Sequence, residues 1–137
     1  MQRKKVSLLD TNVILRFLLD DDPEQSPRAA RFLKRVERDE ERTELEDCVL
    51  CEVVWVLEKG LEVPRQEISR KLSALLAFRG VRSRGKRVLF DALGRFAGTT
   101  CDIADCLLAA RARSRGLEVR SFDQDFDVLG CQWREPD

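Results

Sequence analysis

The stretch VSLLDTNVIL, Val6 to Leu15, joins an apolar run to a helix-like run through a single carboxylate, Asp10. Its pattern predicts a buried strand over residues 5–9 and a first helix over residues 13–19. A carboxylate in a buried element is costly unless hydrogen bonds or a cation compensate it. We therefore interpret Asp10 as a functional residue, with a helix N-cap as the alternative.

The rest of the chain predicts helices with short strands between them. We expect helices over residues 27–42, 48–59, 65–78, 86–97 and 102–115, and strands over 80–84, 117–122 and 131–134. Short parallel strands separated by helices form layered α/β folds. The prediction is one domain, residues 1–137, built as a three-layer α/β/α sandwich with a short parallel sheet.

Composition excludes several kinds of active site. The chain has no histidine and no tyrosine, which rules out Ser-His-Asp and Cys-His catalysis and histidine-bound zinc. Its five cysteines are an odd number, and reduced thiols in the cytoplasm are the simplest explanation. Cys48 and Cys51 form one C-x-x-C pair without a histidine as a further ligand, so zinc binding is disfavoured. No apolar run approaches the ~18 residues of a membrane span.

Three further acids stand in settings comparable to that of Asp10. Glu52 is the only charged residue in an otherwise apolar or thiol segment, so we expect it to be shielded from solvent. Asp123 directly follows a predicted strand, and Asp105 lies near the start of a predicted helix. Either aspartate could instead serve the start of a helix, as a cap or through the helix dipole. Taken together, the four acids indicate a functional site.

Carboxylates at strand ends and on adjacent helices can meet in one cleft of a parallel sheet. Four such groups would repel each other unless divalent cations lay between them. Oxygen ligands of this kind favour Mg²⁺ or Mn²⁺. We therefore expect a metal site that activates water for attack on a phosphodiester.

Four segments resemble, in order and spacing, the PIN-domain ribonucleases, and most of all the toxins of VapBC-type toxin–antitoxin modules. They are LDTNVIL at 9–15, CEVVWVL at 51–57, DIADCLLAARA at 102–112 and SFDQDF at 121–126. The resemblance covers nearly the whole chain. It implies RNA cleavage with Mg²⁺ or Mn²⁺, a homodimer and a cognate antitoxin. It also implies an acidic quartet of Asp10, Glu52, Asp105 and Asp123, supported by Thr11 or Asn12.

A basic region offers candidates for RNA binding. Residues 65–95 contain nine Lys or Arg but only two acids, although the formal net charge of the chain is zero. This surplus fits either a phosphate-binding face or solvated helix faces. If it binds RNA, the candidates are Arg82, Arg84, Lys86 and Arg87.

Two rival functions are considered. The first is a PIN-fold binding module whose weak metal site engages a protein or RNA without efficient cleavage. The second is a phosphohydrolase of the haloacid dehalogenase type, which also starts from an aspartate at a strand end. That chemistry requires D-x-D, and Asn12 occupies the second acidic position. The prediction is a cytoplasmic, metal-dependent endoribonuclease.

Overall fold

The computed structural model describes residues 5–137, so residues 1–4 of the predicted domain lie outside the described residues. Strands β1 to β4 are Val6–Leu8, Arg42–Glu44, Val119–Arg120 and Trp133–Arg134. Helices α1 to α7 are Thr11–Leu19, Gln25–Glu37, Asp47–Trp55, Arg65–Leu76, Lys86–Gly98, Ile103–Arg115 and Asp125–Val128, and a π-helical turn, Val56–Gly60, extends α3. Each helix predicted from the sequence is present. No helix described here is both long and apolar enough to span a membrane.

The strands pair in parallel. β1 pairs with β2, with Val6 opposite Arg42, and β3 pairs with β4, with Val119 opposite Trp133. Val81 adds a single parallel bridge to β2. The predicted α/β class with short parallel strands is confirmed, and within residues 5–137 the strands form two separate two-stranded pairs.

The predicted burial of the first strand is wrong. All three residues of β1 are exposed, Leu8 to 67%, and only the following Leu9 is buried. Among the described strands, β1 has one hydrogen-bonded neighbour, β2, so its other edge is not covered by a strand. Asp10 therefore follows an open edge strand and not a buried one.

Strand β2 was missed because the helical pattern over 27–42 runs into it. Helix α2 ends at Glu37, and Asp39 then adopts a left-handed conformation with φ 61°. Beyond it Thr43 is fully buried, and its N–H donates to the Gly80 carbonyl at 2.9 Å. The strand predicted over 80–84 is reduced to the single bridge at Val81, and the one predicted over 117–122 to Val119–Arg120.

One hydrophobic core joins the helices. Its largest fully buried side chains come from six helices and from the segment after α7: Phe96, Phe126, Ile14, Leu33, Leu50, Ile68, Leu72, Leu75, Leu76, Leu89, Leu93 and Leu129. Helix α5 packs on both α4 and α6, while α1 packs on α2 and α3. The core thus holds α1, which directly follows Asp10, together with α3 and α6, which carry Glu52 and Asp105.

The Arg65 side chain joins the π-helical turn, helix α5 and the segment before α6. Its guanidinium lies 2.5 Å from the Glu58 carboxylate and donates to the Phe96 carbonyl at 2.9 Å and to the Cys101 carbonyl. It also stacks on the Phe96 ring, 3.6 Å from the ring centroid. Cys101 lies two residues before Ile103, the first residue of α6, so these contacts anchor the segment that leads into that helix.

Candidate active site

Asp10 occupies the position just before α1. Its backbone is extended, at φ −88° and ψ 153°, and its carbonyl accepts the N–H groups of Val13 and Ile14. The carboxylate itself makes no capping hydrogen bond, so the alternative role as a side-chain cap is wrong. The exposed Asp10 carboxylate is therefore available for another role.

Thr11 links this helix start to Glu52. The Thr11 hydroxyl, on a side chain that is only 5% exposed, donates to Glu52 Oε2 at 3.0 Å. The expectation that Glu52 is shielded from solvent is wrong, because Glu52 and Trp55 lie on the outer face of α3 while Leu50 and Val53 face the core. The hydrogen bond joins the first turn of α1 to the middle of α3.

Asp105 lies in the first turn of α6, half-buried, in a negative field. Partial burial raises the pKa of its carboxyl, and the neighbouring charges of Asp123, Asp102 and Asp125 raise it further. The electrostatic coupling shows that the start of α6 and the segment after β3 share one acidic region.

Asp123 has a local structural role. Its N–H donates to Ser121 Oγ at 2.9 Å, and its Oδ1 accepts the N–H of Asp125 at 2.9 Å, just where α7 begins. The alternative role at a helix start is therefore present. Only one of its two carboxylate oxygens is used in that way, and the side chain is exposed.

The donor set suits a hard divalent cation by its chemistry, since it consists of carboxylate, hydroxyl and amide oxygens. Its geometry is incomplete. Among residues 5–137, no three Asp, Glu or Cys side chains lie close enough together to hold one ion. The structure links Thr11 with Glu52 and couples Asp105 with Asp123, but it does not bring the four acids to one point.

Two of the four candidate RNA-binding residues have partners within the chain. Arg82 donates to both carboxylate oxygens of Asp39 at 3.1 Å. Lys86 Nζ donates to the Val81 carbonyl at 3.1 Å, and partial burial, followed by the Arg82 charge, lowers its pKa. Both side chains therefore help to hold the turn between α4 and α5.

The other two candidates are exposed and lie beside grooves. Arg84 lines a groove of about 970 Å³ together with Arg111 and Arg115 from the end of α6. In that groove Arg111 is paired with Asp47 at 2.6 Å. Arg87 lines a smaller groove between α5 and α6. The RNA-binding role of these residues stays a prediction.

The cysteines do not form a metal site. All five are free thiols, and Cys48 is exposed while Cys51 is half-buried. Burial, followed by the Asp47 charge, raises the pKa of Cys51, and burial raises that of Cys106 to about 11. A raised pKa keeps the Cys51 and Cys106 thiols protonated at neutral pH, so they are weak nucleophiles.

A groove beside Asp10 was missed. It measures about 770 Å³, and Asp10 and Asn12 line it together with arginines of α2. The signal was present in the sequence, because Arg28, Arg31 and Arg35 recur at helical spacing. The sequence predicts RNA binding at residues 65–95 instead, because the excess of basic residues lies there.

The family model of the PIN domain matches residues 7–130. The chain belongs to the PIN domain family. The match includes all four candidate acids, and it agrees with the resemblance noted from the sequence. A VapC ribonuclease of Aquifex aeolicus (strain VF5) is 26% identical to this PIN domain over 132 residues, which cover 96% of this chain and 97% of the relative.

Proposed function

We propose that this PIN domain is a divalent-metal-dependent endoribonuclease that acts as the toxin of a toxin–antitoxin module. The observation that carries the proposal is the PIN-domain match over residues 7–130, which includes all four candidate acids. The surroundings of Asp105 support it, because partial burial and the charges of Asp123, Asp102 and Asp125 raise the pKa of its carboxyl. A bound cation would offset that repulsion. Similarity to the VapC ribonuclease along almost the whole chain supports RNA as the substrate.

Asp10, Glu52, Asp105 and Asp123 would hold the cation, which is Mg²⁺ or Mn²⁺. When bound, the cation supplies activation of water and stabilisation of the leaving oxygen. Thr11 holds one oxygen of Glu52 by its hydrogen bond, so it restricts the direction in which that carboxylate points. Asn12 lines the groove next to Asp10 and offers an amide to the phosphate.

The partners follow from the same proposal. A cognate antitoxin, a homodimer and a cytoplasmic location are expected for a VapC-type toxin, and they stay predictions for this chain. We also infer that residues 1–137 act as one PIN domain, which is supported by the single hydrophobic core and by the family match over 7–130.

The test is cleavage of end-labelled RNA by purified protein with Mg²⁺, Mn²⁺ or EDTA. Asp10→Asn and Asp105→Asn should each reduce the cleavage rate by about 100-fold or more, because each removes a charged oxygen ligand. The matched control is Glu37→Gln, which neutralises an exposed acid at the end of α2 and should leave the rate unchanged. Full activity of Asp10→Asn or Asp105→Asn would overturn the proposal.

The alternative function, a binding module, predicts a different result with the same protein and RNA. Calorimetric titration would then show Mg²⁺ or Mn²⁺ binding to the wild-type protein, while RNA of any sequence would stay intact. The haloacid dehalogenase alternative has lost its support, because the chain belongs to the PIN domain family.

A further inference from the structure

The groove beside Asp10 combines one acidic residue with several arginines. One wall is the end of β1 and the first turns of α1, with Asp10, Asn12 and Arg16, and the Arg16 guanidinium is paired with Asp21 at 3.1 Å. The other wall is α2, which contributes Arg28, Arg31 and Arg35. An acidic catalytic candidate thus lines the same groove of about 770 Å³ as a row of arginines.

The three arginines form a continuous stripe. Positions 28, 31 and 35 lie three and four residues apart, so their side chains lie along one side of α2. From Arg28 to Arg35 the stripe extends over about 10 Å, at about 1.5 Å per residue. All three residues are exposed, so the stripe can reach a ligand in the groove.

Most of this charge is not neutralised by other residues that the structure describes. Among residues 5–137, Arg28 and Arg31 form no ion pair and no side-chain hydrogen bond. Arg35 lies 3.7 Å from Glu41, and its guanidinium sits over the Phe32 ring, 5.8 Å from the centroid. A solvated helix face explains exposed arginines, but it does not explain why they line the groove that contains Asp10.

We propose that Arg28, Arg31 and Arg35 hold the phosphates of an RNA strand whose scissile phosphate lies near Asp10. Guanidinium groups bind phosphate oxygens in a bidentate manner, and such contacts position a strand without reading its bases. The inference rests on the proposed nuclease function. It assigns the binding track to α2 and not to the basic region at 65–95.

The experiment measures RNA binding without cleavage. Fluorescence anisotropy of an end-labelled single-stranded RNA is recorded in EDTA over a series of KCl concentrations. Each phosphate contact contributes about 0.7 to the slope of log K against log salt for single strands. Arg28→Gln combined with Arg31→Gln should lower the slope by about 1.4 and weaken binding by about ten-fold or more at low salt.

Two further variants serve as controls. Arg70→Gln with Arg79→Gln removes the same charge from exposed arginines that line none of the three grooves described above, and it should keep the wild-type slope. Arg28→Lys with Arg31→Lys keeps the charge and should restore most of the slope. Thermal unfolding should be similar for all variants, because exposed substitutions change stability little.

The outcomes separate this inference from the proposed function. If wild-type protein cuts RNA but the Arg28 and Arg31 double variant binds RNA normally, the track on α2 is overturned. Equal losses in the Arg70 and Arg79 control also overturn it, because net charge alone then explains binding. If the α2 variant loses binding and wild-type protein never cuts RNA with Mg²⁺ or Mn²⁺, the track stands and the nuclease proposal fails.

Discussion

The hydroxyl of Thr11 donates a hydrogen bond to Glu52 Oε2 at 3.0 Å and so connects residues that are 41 positions apart. Thr11 is buried and Glu52 is exposed. The donor hydroxyl is therefore surrounded by packed residues, while the carboxylate that accepts from it faces solvent. In this chain the residue next to Asp10 thus orients a second acid of the proposed site.

Thr11→Val should therefore lower both the cleavage rate and the stability. Valine keeps the shape of the side chain but cannot donate, so the free energy of unfolding should fall by about 0.5–1.5 kcal/mol. The cleavage rate should fall by about ten-fold, because Glu52 loses its orientation. Thr11→Ser keeps the hydroxyl and should retain most of the rate. Equal rates for the valine variant and wild-type protein, measured on the same labelled RNA, would contradict this positioning role.

Asp105→Asn should stabilise the metal-free protein while it abolishes cleavage. The pKa of Asp105 is raised in the folded state, chiefly by burial and then by Asp123, Asp102 and Asp125. The folded state therefore binds this proton more tightly than the unfolded state does. Stability falls as the pH rises from the unfolded pKa, near 3.8, through the raised folded pKa, and stays reduced above it.

The measurement is urea unfolding in EDTA between about pH 4 and pH 8. Asparagine does not titrate, so the variant should lose this part of the pH dependence and should be the more stable protein at neutral pH. Mg²⁺ or Mn²⁺ should raise the Tm of wild-type protein but raise that of Asp105→Asn much less. A variant that is less stable than wild-type protein at neutral pH in EDTA would contradict the electrostatic explanation.

Arg65→Met should destabilise the fold. The substitution removes the ion pair with Glu58 and leaves the carbonyls of Phe96 and Cys101 without their donor. We expect a loss of about 2–4 kcal/mol in the free energy of unfolding, measured by urea titration. Arg70→Met on the same helix removes an exposed arginine and serves as the control. Equal stability of the two variants would show that the Arg65 contacts contribute little.

The five thiols should react with iodoacetamide in a defined order. Cys48 is exposed and should be modified first at pH 8. Cys106 is buried and burial raises its pKa to about 11, so it should react only after unfolding. Mass mapping of peptides over time gives the order. Early modification of Cys106 in native protein would show that the α6 region opens locally.

The helices could be predicted closely from the sequence because their apolar residues recur at helical spacing and their ends are marked. Helix α6 ends just before Gly116, which is left-handed at φ 65° as a helix-terminating glycine should be. The strands could not be placed as well. β2 is three residues long and polar at both ends, and its stability comes from pairing with β1 and Val81, which lie far away along the chain.

The candidate site, too, could be predicted only in part from the sequence. The four acids stand out in the sequence because each interrupts or follows an apolar segment. Their environments depend on which side of each element faces solvent, and the burial expected for Glu52 failed because α3 is packed on one side only. The arginine stripe on α2 could be predicted from its spacing, whereas its place in the same groove as Asp10 depends on how α2 packs on α1.

The proposed acids are distributed over nearly the whole chain, and the strand pairs beside them join distant segments, residue 6 with residue 42 and residue 119 with residue 133. During synthesis Asp10 emerges before Glu52 and Asp105, and Asp123 is the last of the four to emerge. The pair of β3 and β4 forms only after Trp133 and Arg134 have left the ribosome. A nascent chain therefore lacks the complete set of proposed acids until late in translation, and the proposed nuclease would gain activity only then.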